Sequence, residues 1–312
     1  MKLFVLAFAA ACLAGCASGP HGACCLAKGS AAALDIGPIS TNHFDFAAEG
    51  RSYPVYWRGA DPAARQANPD EPAILLMQEL PGLTPACFEL ATRLATNGYT
   101  VYAPLLFGRP GKSAFFRNCV SLLFNSQWHL FAKDDTSPVA GWLGALCQKI
   151  SQDHGGRGIG VVGNCLSGSL AVALLREKAV IAPVMSQPAL PLLILYLPVS
   201  AARKKALGLA PADLARAEER CAQDHIQILA FRFENDKISP PDKFAEMTRD
   251  FGTNFIPRPI SQEDYAAWDI PSDAHAVLTE NYDDRPGHPT TVRFQEMIDF
   301  LNARLKRTSD AR

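Results

Sequence analysis

The sequence predicts one α/β domain, with a mostly parallel, twisted sheet and helices on both faces. Three features predict it. Strand-like apolar runs alternate with segments of helical spacing along most of the chain. Residues 72–108 read as strand, helix and strand, a unit that pairs its strands in parallel. No internal repeat and no second boundary interrupts residues 41–312, so a single domain is expected there.

The elements follow in order. "RSYPVYWRG" (51–59) reads as an early strand, the end of a hairpin. "PAILLMQEL" (72–80) is an apolar run of buried-strand type. In "TPACFELATRLATNG" Thr84 is a candidate N-cap, Pro85 fits the first turn, and Gly98 sits where a helix ends. "YTVYAPLLFG" is the next strand. Residues 113–135 are aromatic and lack a clear period. A helix over 138–153 leads to a strand at 158–163 and to a helix after Cys165. Further strands are expected at 179–186 and 226–233. Helices are expected from Pro211 to about residue 222, over "PPDKFAEMTRDFG", and over "PTTVRFQEMIDFLNARLKR", which is amphipathic.

The chain has 312 residues and a formal net charge of -1, which leaves no basic footprint for nucleic acid. The apolar run at 190–198 is too short to span a bilayer and is bounded by prolines, so it reads as a buried strand or pocket wall. At the N-terminus, Lys2, an apolar stretch and small residues follow the layout of a secretory signal. Leu13-Ala14-Gly15-Cys16 resembles the lipobox of bacterial lipoproteins, where cleavage leaves a lipidated cysteine. The expectation is a signal peptide over 1–15, a lipid anchor at Cys16 and an Ala-, Gly- and Ser-rich tether over 16–40. Ala17 favours the outer membrane by the same resemblance, facing the periplasm, with a plain periplasmic location as the alternative.

There are nine cysteines. With Cys12 cleaved away and Cys16 lipidated an odd number remains, so at least one thiol is unpaired. Export would permit disulfides. No cysteine or histidine cluster has zinc-like spacing, so no metal is expected.

The reactive residues lie just beyond predicted strands, where parallel sheets bind ligands. "GIGVVGNCLSGSLAVALL" (158–175) sets Cys165 between glycines on a sharp strand-to-helix turn. Alone, that allows a nucleophile, half of a disulfide or a small buried residue. Asp236 follows "ILAFRFEN", and His275 lies in "PSDAHAVLT" ahead of the last helix. Glu79 ends an earlier strand, in "LLMQELPG". A carboxylate in that place is costly to bury without purpose.

In the order "QELPGL", "GNCLSG", "FENDKISP", "DAHAV", these motifs resemble the dienelactone hydrolase family over roughly residues 50–308. The resemblance implies a single-domain α/β-hydrolase needing no cofactor, with a small-molecule ester or lactone as its partner; a monomer is favoured. It implies that Cys165 is the nucleophile, Asp236 orients His275, and His275 is base and acid. Glu79 would contact the resting thiol, and the backbone N–H groups of Leu166 and Leu80 would form the oxyanion hole. The physics agrees: a thiol must be activated near neutral pH, and unpaired N–H groups after Cys165 favour both thiolate and oxyanion.

Competing readings are Ser167 as nucleophile, Glu234 as acid, and His288 as base or as cap of the last helix. Cys87, near Glu79, reads as a pocket-lining or core residue. The family holds its substrate carboxylate with arginines, one of them four residues after the histidine. Here that position is Thr279, while Arg109 lies only in the region of the other. With the aromatic stretch 113–131, this points to a neutral or hydrophobic ester, lactone or thioester. An acyltransferase, or a binding lipoprotein that lost catalysis, could use the same framework.

Overall fold

A computed structural model of the chain describes residues 42–61, 66–130, 134–189 and 200–306. The expected signal peptide, Cys16, the tether and the apolar run 190–198 lie outside the described residues.

One eight-stranded sheet forms the centre, in the order β1-β2-β4-β3-β5-β6-β7-β8. The strands are β1 His43–Ala48, β2 Arg51–Arg58, β3 Ala73–Met77, β4 Thr100–Pro104, β5 Ile159–Asn164, β6 Val180–Ser186, β7 Ile228–Phe233 and β8 Phe255–Ile260. β1 and β2 form an antiparallel hairpin, and β2 also pairs antiparallel with β4. All other pairings are parallel. β3 and β5 are buried along their full length, as expected where helices cover both faces.

The helices are α1 Pro85–Thr96, α2 Phe115–Leu123, α3 Val139–Asp153, α4 Leu170–Ala173, α5 Ala201–Lys205, α6 Pro211–Asp224, α7 Pro241–Phe251, α8 Gln262–Trp268 and α9 Pro289–Leu305. α1 and α9 close one face, where Phe88, Leu90 and Leu94 join Phe294, Met297 and Leu301. α3, α4, α6 and α7 close the other, around Trp142, Leu143, Leu170, Cys221 and Met247. Thr84 caps α1 by accepting the Cys87 amide at 3.3 Å.

The structure departs from the sequence reading in particular places. β8, over which no strand was expected, carries Pro257 and Pro259. It holds its place because it is the sheet's edge, where a missing N–H breaks no second ladder. The aperiodic stretch after residue 113 contains α2. The helix expected after Cys165 is broken into a 3-10 turn (Cys165–Ser167), the short α4 and another 3-10 turn (Leu174–Arg176). Ser167 bonds back onto Asn164, and Gly168 is pressed onto Pro188 so closely that a Cβ would lie 2.7 Å from its Cα. The long helix expected to point its dipole at Cys165 is therefore absent, and the Gly168 amide closes the first turn on the Cys165 carbonyl at 2.9 Å.

Candidate active site

β3, β5, β6 and β7 deliver their carboxyl ends side by side, and the predicted residues lie there. The elbow is built by local sterics. Cys165 stands at φ 49, a left-handed conformation unfavourable for a side chain with a Cβ. Gly163 permits the sharp return, since a Cβ there would lie 2.5 Å from the Ser167 carbonyl oxygen. Ser167 accepts the Asn164 amide at 3.1 Å and donates to its carbonyl at 3.0 Å. Its hydroxyl thus holds the turn and is not presented as a nucleophile. Asn164 Nδ2 donates to the Met77 carbonyl at 3.1 Å and ties the elbow to β3. Cys165 is buried, and it, Cys87, Cys147 and Cys221 are free thiols.

Asp236 lies three residues beyond β7. Its Oδ1 accepts the amides of Ile238 (2.8 Å) and Ser239 (3.1 Å). Its Oδ2 accepts from His275 Nδ1 at 2.7 Å, both side chains being almost wholly enclosed. A carboxylate accepts only, so Nδ1 carries the proton and Nε2 is the exchangeable nitrogen. Nε2 makes no hydrogen bond of good geometry among the described residues, yet Cys165 lies close enough to act on the ring's charge. Burial pushes the His275 pKa down, but Asp236 and Cys165 outweigh it and hold it well above the ordinary histidine value.

Two competitors fall away. Glu234 is exposed and accepts the Gln262 amide at 2.7 Å. His288 caps α9 by accepting the Thr290 amide at 3.2 Å.

Glu79 departs from its expected contact. It is buried, but its carboxylate accepts the Thr279 hydroxyl and lies 3.8 Å from the Cys87 thiol, not against Cys165. Thr279 is a short neutral donor, and its hydroxyl engages the Glu79 carboxylate. Burial raises the Glu79 pKa, and the Thr279 hydrogen bond and His275 only partly offset that rise. Burial and Glu79 push the Cys87 thiol up strongly, so it is an inert wall of this pocket. Arg109 is exposed in a turn closed by Lys112.

Leu80 and Leu166 each lie three residues beyond the register pair Met77–Gly163, on adjoining strand ends. Their loop is braced by a residue the sequence did not disclose. Asn118 of α2, itself buried, donates to the Leu80 carbonyl (3.3 Å) and the Pro81 carbonyl (3.0 Å). Gly82, at φ 119, leaves room for that amide. Two further supports were hidden. Asn281 Oδ1 accepts the amides of His275 and Ala276, both at 2.9 Å. Gln187, fully buried at φ 35, accepts the Val277 amide at 3.2 Å, while its own NH₂ has no partner among the described residues. A polar residue directly after an apolar strand was the available signal for Gln187.

This arrangement, with a strained residue after β5, an acid after β7 and a histidine after β8 on this strand order, is that of the α/β-hydrolase fold. Among solved structures, the chain is similar to a candidate dienelactone hydrolase from Klebsiella pneumoniae subsp. pneumoniae, at 16% identity and TM-score 0.53. That match covers 83% of this chain and 96% of the other. It is also similar to a 2,6-dihydroxy-pseudo-oxynicotine hydrolase (14% identity, TM-score 0.51, 84% and 68% covered). A soluble variant of monoglyceride lipase from Saccharomyces cerevisiae matches at 11% identity and TM-score 0.50, with 84% and 96% covered. At such identities these likenesses establish the fold alone. A further likeness comes from the sequence: residues 62–204, just under half of the chain, match the model described as "Dienelactone hydrolase family". No curated protein matches the chain significantly.

Proposed function

We propose that this protein hydrolyses a neutral or hydrophobic carboxylic ester, lactone or thioester through a thioester on Cys165. The observation that carries the proposal is the buried His275–Asp236 pair at 2.7 Å, beside a cysteine held at φ 49 on the end of the next strand but one. His275 Nε2 takes the thiol proton as Sγ attacks the substrate's carbonyl carbon. The amides of Leu80 and Leu166 are the proposed donors to the oxyanion. The tetrahedral intermediate collapses, the bond to the leaving oxygen or sulfur breaks, and His275 returns the proton to it. Water, deprotonated by His275, then attacks the thioester carbonyl and releases the carboxylic acid and the thiol. Asp236 holds Nδ1–H throughout and stabilises the imidazolium. The preference for an uncharged substrate rests on Thr279, whose hydroxyl is committed to Glu79.

The test is a panel of activated esters, lactones and thioesters given to the wild type and to Cys165→Ala. The variant is expected to lose at least about 10⁴-fold in kcat, and a quenched wild-type reaction to carry the acyl mass on the Cys165 peptide. Equal turnover by both proteins would remove Cys165 from the mechanism. No turnover by the wild type on any substrate would favour a binding protein on this fold. Attachment to the outer membrane through a lipidated Cys16 is part of the same proposal, checked by the mass of the mature N-terminal peptide.

A further inference from the structure

The short segment leaving β6 joins the three parts of the site. The Gln187 amide donates to the Phe231 carbonyl of β7 at 2.8 Å, and Gln187 Oε1 accepts from Val277 of the histidine loop at 3.2 Å. The Ala189 amide donates to the Cys165 carbonyl at 2.9 Å. One side chain fastens this arch from below: Lys243 of α7, whose Nζ donates to the Ala189 carbonyl at 2.8 Å. Lys243 has no exposed surface, a rare state for lysine, and it shares the apolar stripe of α7 with Phe244, Met247 and Phe251. A charge inside an apolar helical stripe was a sequence signal, and nothing in the proposed acid–base scheme accounts for it.

The neighbouring charges are engaged elsewhere. Glu246 of α7 pairs with Lys205 of α5 and with Arg249. Arg249 also reaches Asp250, and Glu218 of α6 feels that same pair. Arg232 of β7 donates to the Ser239 and Glu234 carbonyls. Asp242, at the start of α7, is half-buried, and its charge is not among those that act on the Lys243 amine. The titratable group whose charge acts on the Lys243 amine is Cys165. Cys165 in turn faces His275 and, behind it, Asp236.

We propose that Lys243 is a positioning residue for the nucleophile: its amine, seated on the Ala189 carbonyl, holds the Cys165 elbow and presents a positive charge to the thiolate. This rests on Cys165 being the nucleophile. Burial draws the Lys243 amine down to about 7, with Cys165 opposing the fall. The amine therefore changes charge in the range where the thiol must ionise, and Cys165 is assisted from below by Lys243 as well as from the side by His275.

The test is the pH dependence of Cys165 alkylation by iodoacetamide in the full chain, with the modified peptide located by mass spectrometry. Lys243→Met is expected to move the midpoint upward by about one pH unit, and the charge-keeping Lys243→Arg to bring it back toward wild type. Superimposed profiles for wild type and Lys243→Met would overturn the proposal. If Lys243→Met loses its native circular dichroism, a second measurement decides. Coupling is reciprocal, so ¹³C NMR of the Lys243 ε-carbon should show the amine titrating lower in Cys165→Ala than in wild type. An unchanged amine midpoint would equally overturn it. Alkylation and NMR need no turnover, so a Cys165→Ala protein that still hydrolyses ester sinks the nucleophile reading separately.

Discussion

Two buried histidines lie at opposite ends of the same sheet, and they differ in what their nitrogens meet. At the amino ends, His154 has both nitrogens engaged: Nδ1 reaches the Glu71 carbonyl at 2.8 Å and Nε2 the Tyr102 hydroxyl at 2.9 Å. The carbonyl can only accept, so Nδ1 donates and Nε2 accepts from the tyrosine. Burial, the largest influence, lowers the His154 pKa, and this ring stays neutral. At the carboxyl ends, His275 has a carboxylate on Nδ1, a thiol nearby and an Nε2 without a well-aligned partner among the described residues, and its pKa is raised. Burial acts on both rings in the same direction. The difference lies in the partner: two neutral groups make a strut, whereas a carboxylate on one nitrogen and a thiol near the other suit the proton transfer proposed for His275.

The largest expected effect is at the carboxyl end. Asp236→Asn should lower kcat by roughly 10³–10⁴-fold with little change in KM, because His275 loses its tautomer and its counter-charge. His154→Phe should leave kcat within about twofold, measured on the same substrate. A comparable loss of kcat in both variants would break the comparison.

Next comes stability. His154→Phe leaves the Tyr102 hydroxyl and the Glu71 carbonyl without their partner and should cost about 2–4 kcal/mol, read from urea midpoints. Asn118→Ala should be milder, lowering kcat by roughly tenfold as the Leu80–Gly82 loop loosens. A shift confined to KM would instead place Asn118 in substrate binding.

The smallest effect is in pH and has opposite signs at the two ends. The lowered His154 pKa means the unfolded chain binds the extra proton. Its contribution is full above about pH 6.5, the unfolded histidine value, and is lost as pH falls toward the folded pKa. The raised His275 pKa contributes stability that is full below about pH 6.5 and is lost as pH rises through the folded value. Urea unfolding from pH 5 to 9 should therefore show His154→Phe converging with wild type on the acid side and His275→Phe on the alkaline side. Parallel curves for either variant would remove that histidine's titration from the account.

Much of the fold was legible in the chain. The strand–helix alternation gave the sheet, and asking which reactive residues follow apolar runs singled out Cys165, Asp236 and His275, the residues on which the proposed site rests. β8 was not legible, because Pro257 and Pro259 are poor strand signals unless the strand is known to be an edge. Asn118 was not legible either, since it bonds backbone far away in sequence, and the polar Gln187 and Lys243 beside apolar runs signalled burial without naming the distant backbone they bond.

By itself the sequence determined the fold class and the residues that stand at the ends of the central strands, because periodicity and turn sterics are local. Tertiary structure decided what those residues touch. It gave Asp236 to His275, turned Glu79 toward Thr279 and Cys87, and placed a lysine beneath the elbow. The physical reason is that hydrogen bonds and charge interactions between distant segments depend on how helices and loops pack over the sheet, which no local pattern encodes.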